Sequence, residues 1–216
     1  MRLVLVGPPG SGKGTQAKLL VQRLGLTYVG TGDILRDAIR RGTPSGKLAE
    51  PFIKDGNLVP DDLVNELVND LFHSKTQPSC FVLDGYPRTL AQAIWFDKMM
   101  TGIDKKLDAV VQFEVSDEEV VRRISGRWIC PKCGAVYHTS GRAPQQPGIC
   151  DHDGEKLVQR PDDREEVIRA RLKVFHDNTD GLLAHYRANG LLKVVPSVGT
   201  IDSIYATILA HLNQRG

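Results

Sequence analysis

The stretch GPPGSGKGT, Gly7 to Thr15, restricts the fold of this chain more than any other. It follows RLVLVG, Arg2 to Gly7, a short β-branched run that is apolar on both faces and so predicts a buried parallel strand. It opens TQAKLLVQRLG, whose apolar spacing predicts a helix closed by Gly25. Glycines at such a turn let backbone N–H groups face inward around phosphate oxygens. The following helix points its positive end at the same place. Lys13 adds a full charge on a flexible stem. Gly10, Ser11, Gly12, Lys13, Gly14 and Thr15 are therefore candidate phosphate-binding residues. A plain glycine-rich turn with an exposed lysine would leave the agreement of strand, spacing, lysine and hydroxyl unexplained. Gly14 separates Lys13 from Thr15, which argues against a direct Thr–Mg²⁺ bond of the GTPase kind. No Asn-Lys-x-Asp guanine signature occurs.

Further strands are predicted at CFVLDG (Cys80 to Gly85), AVVQFEV (Ala109 to Val115) and LLKVV (Leu191 to Val195), with TYVG (Thr27 to Gly30) weaker. Between them DDLVNELVNDLFHS, SDEEVVRRISGR and REEVIRARLKVFHDNTDGLLAHYRANG read as helices. SDEEVV has Ser116 as N-cap and Glu119 at the capping-box position. Strands alternating with amphipathic helices predict an α/β fold: a five-stranded parallel sheet with helices on both faces. Two segments break the rhythm. Residues 31–60 look helical and contain no strand; residues 128–160 are rich in Gly, Pro and Cys and lack a long period. Both read as insertions at strand ends, leaving 1–30, 61–127 and 161–216 as the core.

The second insertion holds three of the four cysteines, in CPKCG (Cys130 to Gly134) and CDHDG (Cys150 to Gly154). Such clustering suits a metal better than a disulfide framework. A structural zinc needs four ligands. The spacing supplies Cys130, Cys133, Cys150 and, three residues beyond Cys150, Asp153. His152 is the competing ligand, but at i+2 its side chain should point away. The zinc is expected to staple the segment, far from any phosphate.

A chain of 216 residues with a formal charge of +2 gives no electrostatic argument for nucleic acid or a membrane surface. No apolar run approaches about 18 residues, so no membrane span is predicted. The apolar N-terminal run is too short for a signal peptide. A reducing, cytoplasmic compartment is the expectation.

GPPGSGKGT, TGDILR (Thr31 to Arg36), DGYPRT (Asp84 to Thr89) and RPDDREEVIRARL (Arg160 to Leu172) occur together in this order. With them the chain resembles the adenylate kinases, including the members with a cysteine-bearing lid. The resemblance implies a P-loop fold with an AMP-binding insertion at 31–60 and a zinc-containing lid at 128–160. It implies Mg²⁺-dependent transfer of the γ-phosphoryl group of ATP to AMP, giving two ADP and so serving adenine nucleotide homeostasis. Lys13, Arg88, Arg127, Arg160 and Arg171 then form the phosphate clamp, where guanidinium forks match phosphate oxygens in pairs. Arg123 lies against the ATP adenine, with Val136, Tyr137 and the backbone of Gly199 near that base. AMP meets Thr31, Arg36, the backbone of Asn57, Leu58 and Val59, then Gly85, Tyr86, Pro87, Arg88 and Gln92, with Arg160 and Arg171 at its phosphate. The Gln92 amide offers the donor and acceptor that the adenine N1 and N6 edge requires. Asp84, at a strand end where ligands gather in open α/β sheets, suits a hydrated Mg²⁺. Asp162 and Asp163 either grip the lid arginines or position Mg²⁺ waters. A monomer is expected, because one chain supplies the whole site.

Two alternatives stand beside this reading. One is another nucleoside monophosphate kinase on the same fold. The other is a nucleotide-gated binding module whose zinc knob contacts nucleic acid. For the second, Lys132, Arg142 and Lys156 are few cations, and Tyr137 with the bordering Trp128 is thin for base stacking.

Overall fold

The computed structural model describes residues 1–75, 77–139 and 143–213, so Arg142 lies outside the described residues. In chain order the first elements are β1 (Arg2–Val6), α1 (Lys13–Leu24), β2 (Thr27–Gly30), α2 (Thr31–Arg40), α3 (Pro44–Lys54), α4 (Asp61–His73) and β3 (Phe81–Asp84). There follow α5 (Leu90–Gly102), β4 (Ala109–Glu114), α6 (Asp117–Ser125), β5 (Arg127–Ile129), β6 (Val136–His138), a 3₁₀ turn at Pro161–Asp163, α7 (Glu165–Ala188), β7 (Leu192–Pro196) and α8 (Ile201–Asn213).

Five strands form one parallel sheet in the order β2-β3-β1-β4-β7, as the α/β reading predicts. Side chains alternate across it because the strand period is two. Leu3, Leu5, Val82, Val111 and Phe113 pack with Ala17 and Leu20 of α1 and Ile204 and Ile208 of α8. Val4, Val6, Phe81, Leu83 and Val110 face the other way, against α4, α5 and α7 through Val68, Phe72, Phe96, Met100 and Leu182. A smaller cluster joins α6 to α7 through Val120, Ile124, Ile168 and Leu172. Both faces are thus closed, and ligands are left the crevice beyond the carboxyl ends of the strands.

Three details differ from the sequence reading. Helices α5 and α8 were not anticipated. α5 turns Phe96 and Met100 to the core but also carries exposed Leu90 and Ile94, so no polar stripe marks a period. The cysteine-rich segment contains an antiparallel hairpin, β5 with β6, too short to show alternation. At α6 the Ser116 hydroxyl accepts from the Glu119 amide at 3.4 Å, but the Glu119 carboxylate does not return to Ser116. It takes Arg122 and Arg123 instead, at 2.7 Å each.

Candidate active site

The loop after β1 sits at the centre of the sheet's carboxyl edge. Gly10 and Gly12 have φ of +73° and +88°, a region that side-chain-bearing residues rarely adopt. Gly12 is also the N-cap of α1. Lys13 curls back over the loop, its ammonium donating to Gly7 O and Pro8 O at 2.7 Å and to Ser11 Oγ at 3.2 Å. Burial lowers its pKa to about 8; Asp84 opposes the shift, and Arg88, Arg171 and Arg127 add to it. Burial also pushes the Asp84 carboxyl up, against the pull of Lys13 and Arg88.

These groups open on a cleft of about 1160 Å³, above the range of about 300–1,000 Å³ typical of a site for one small ligand. Lys13, Arg36, Arg88, Arg123, Arg127, Arg160 and Arg171 all line it. Four of them are held by aspartates. The Arg127 guanidinium donates two hydrogen bonds to Asp163, one at 2.9 Å. Arg171 donates to Asp162 Oδ2 at 2.9 Å. Arg36 pairs with Asp33 at 2.8 Å, and Arg160 lies 3.7 Å from the same carboxylate. Asp162 and Asp163 therefore grip arginines. Burial lowers Arg160 and Arg171 to about 10, with neighbouring guanidiniums adding to the shift. Arg123 is fixed differently, donating to Glu119 at 2.7 Å and to the Ser197 carbonyl at 2.7 Å. Such a concentration of cations in one cleft is the environment for a polyphosphate.

The far side of the cleft is built from α2, the 57–59 backbone and the turn after β3. Thr31 starts α2 without capping it; its hydroxyl donates to Gly85 O at 2.9 Å. Arg88 Nε donates to the same carbonyl at 2.7 Å. Asn57, Leu58, Val59, Gly85, Pro87 and Gln92 also line the cleft. Gln92 is 2 % exposed.

Four further residues of the expected site stand apart from the groups above. Gly199 does not line the cleft; it sits in the exposed turn before α8, beside Ser203. Tyr86 turns into the core, where its hydroxyl donates to Asn65 at 2.6 Å and its ring packs edge-on against Phe96. Ser11 lies beneath the loop, fully buried. Tyr137 lines the cleft but is 1 % exposed, its hydroxyl within the cysteine segment, 3.5 Å from Cys150 Sγ.

In that segment Gly134 N–H donates to Cys130 O and Gly154 N–H to Cys150 O, each at 3.0 Å. Both glycines have φ near +70°. The two turns therefore repeat one backbone, and Asp153 takes in the second the place of Cys133 in the first. Cys130, Cys133, Cys150 and Asp153 bring one ligand atom each to within 4.8 Å of one another; His152 is outside the group and on the cleft wall. Tetrahedral zinc at about 2.3 Å from sulfur and 2.1 Å from oxygen separates two sulfurs by about 3.8 Å and a sulfur from an oxygen by about 3.6 Å. The observed Cys133–Cys150 and Cys130–Asp153 separations are 3.6 and 3.4 Å. The donor set fits a zinc ion.

Sequence reasoning gave no role to Asp33, Asp61 or Ser197, each of which holds a predicted site residue in place. Only Asp33 carried a signal, its position within TGDILR. No helix among the described residues is long and apolar enough to cross a membrane.

The family model described as Adenylate kinase matches residues 5–191. An adenylate kinase of Anaeromyxobacter sp. (strain Fw109-5) is 46% identical over 95% of this chain and 96% of its own length. That of Moorella thermoacetica is 45% identical over 96% of each chain, and that of Archaeoglobus fulgidus 43% identical over 99% of each. The cation-lined cleft, the glycine-rich loop and these matches agree, and the chain belongs to the adenylate kinase family.

Proposed function

We propose that this chain carries out its family's reaction, reversible phosphoryl transfer from ATP to AMP giving two ADP, with the two nucleotides placed at opposite ends of one cleft. The observation that carries the assignment is the ring of Lys13, Arg88, Arg127, Arg160 and Arg171 around the space between the glycine-rich loop and the turn after β3. ATP lies with its phosphates on residues 10–15 and its base between Arg123 and Val136. AMP lies against Thr31, Arg36, residues 57–59, Arg88 and Gln92.

Phosphoryl transfer asks little covalent work of a protein, so placement and charge do most of it. Lys13 moves from the loop carbonyls to the phosphates. Arg88 reaches the acceptor phosphate and the transferred group, while Arg127 and Arg171 meet the equatorial oxygens. Asp163 and Asp162 hold the Arg127 and Arg171 forks, and the Gly85 carbonyl holds Arg88, before substrate arrives, so little reorganisation accompanies the reaction. Bound Mg²⁺ would supply positive charge to the phosphates, and Asp84 is the carboxylate that would hold its waters. Residues 128–160 act as a lid stapled by zinc on Cys130, Cys133, Cys150 and Asp153. With residues 31–60 they close over the substrates and exclude water, the competing phosphoryl acceptor.

Measuring ADP formed from ATP with AMP, CMP, UMP or GMP tests the reading. AMP should be strongly preferred; equal use of a pyrimidine nucleotide would overturn the acceptor assignment.

A further inference from the structure

Gln92 is held from both ends. Its Oε1 accepts from the Arg88 backbone N–H at 2.7 Å, and its Nε2 donates to Asp61 Oδ1 at 2.7 Å. Reversing the amide would set a carbonyl oxygen against a carboxylate and an NH₂ against an N–H, so both neighbours demand the same orientation. Asp61 is anchored in turn. Its Oδ2 accepts from Thr89 Oγ1 at 2.8 Å, and Thr89 caps α5 by accepting from the Gln92 N–H at 3.1 Å. One N–H and one lone pair of the Gln92 amide remain for a ligand, in a fixed order.

We propose that Asp61 is a specificity-determining positioning residue, which selects adenine over 6-oxopurines by forbidding the Gln92 amide to turn over. The proposal rests on the reading of Gln92 as the residue that faces the acceptor base. Adenine presents an acceptor at N1 and a donor at N6. Hypoxanthine and guanine present the reverse, N1–H and O6. A free glutamine would serve either by rotating half a turn; this one would lose two hydrogen bonds, one to a charged group. Asp61 itself is absent from the cleft wall. It acts through Gln92 and touches no substrate.

The test compares AMP with inosine monophosphate, which has the 6-oxo edge without the extra 2-amino bulk of GMP. In Asp61→Asn the new amide can offer oxygen or NH₂ to Gln92, and the Thr89 hydroxyl can donate or accept, so one of the two constraints is lifted. The ratio of kcat/KM for AMP over inosine monophosphate should fall about tenfold or more, the worth of a hydrogen bond to a charged group. The KM for ATP should stay unchanged. Asp61→Ser, whose hydroxyl also works both ways, replaces the variant if it melts without cooperativity. A merely structural Asp61 would lower both activities together and leave the ratio unmoved, which overturns the proposal. Gln92→Ala separates the two layers. Base preference that survives it overturns Gln92 as the reader, and this proposal with it. Preference lost in Gln92→Ala but unmoved in Asp61→Asn overturns the role of Asp61 alone.

Discussion

Replacing Asp153 by alanine tests the lid's metal chemistry most directly. The side chain lies 3.4 Å from Cys130 Sγ by both carboxylate oxygens, and the Cys133–Cys150 separation of 3.6 Å already suits two thiolates on one zinc. Asp153→Ala therefore leaves a three-thiolate site open to water. Loss of a residue outside the ligand shell commonly costs 10–100-fold in metal affinity, so removing a ligand should cost at least about 100-fold. At zinc concentrations well above both dissociation constants, weakening of that size lowers the melting temperature by about 5–10 °C for a chain of this length. Competition against a chromophoric zinc chelator gives the affinity, and calorimetric melting with and without chelator gives the stability. His152→Ala is the control, since that residue lies outside the ligand group. Zinc lost in His152→Ala but retained in Asp153→Ala would refute the ligand set. Unchanged melting of the parent protein after complete zinc removal would refute the staple.

Lys13→Ala should lower turnover by about 10²–10³-fold, as for loss of one preorganised donor, with the fold retained; near-normal turnover in a folded variant would refute the role of the loop lysine. Arg88→Ala should raise the KM for AMP and lower kcat together, and a change in KM alone would remove its transition-state part. Because burial lowers Lys13 to about 8, arriving phosphates should raise it again, so ATP binding at pH 8–9 takes up protons. Near pH 6.5 Lys13 is already charged and contributes no uptake. Titration calorimetry in buffers of different ionisation enthalpy reads this, and binding at pH 8.5 without proton uptake would contradict the shift.

The strands were legible because buried parallel strands are nearly continuous apolar runs, as in Leu3 to Val6 and Val110 to Val111. Most helices were legible from their one-sided apolar spacing, and α5, apolar on several sides, was not. The glycine-rich loop could be placed because its function depends on a local turn between two predictable elements. The cysteine turns were legible as a repeated pattern, CPKCG and CDHDG, since each closes on itself by the same bond. Pairings between distant segments were not legible from the residues themselves; a grip of Asp163 on a lid arginine entered only as one of two roles implied by resemblance. Asp163 meets Arg127 across 36 positions, and Asp61 meets Gln92 across 31, because tertiary packing alone brings those turns together. Tyr86 lies within DGYPRT, yet its side chain turns into the core, because membership of a motif does not fix where a side chain points.

The base of the cysteine segment is closed by two backbone hydrogen bonds between Ile129 and Val158, at 2.8 and 2.9 Å. A paired neck of this kind resists bending within itself, so the lid motion proposed above would turn on pivots close to it. Arg127, within β5, and Arg160, two residues beyond Val158, both stand near that neck. Near a fulcrum they would travel little while the cysteine-bearing tip swept the longest arc. The anionic part of the substrate would then meet almost stationary cations however far the tip had opened, and what the swing admitted or shut out would be decided at the base-facing end.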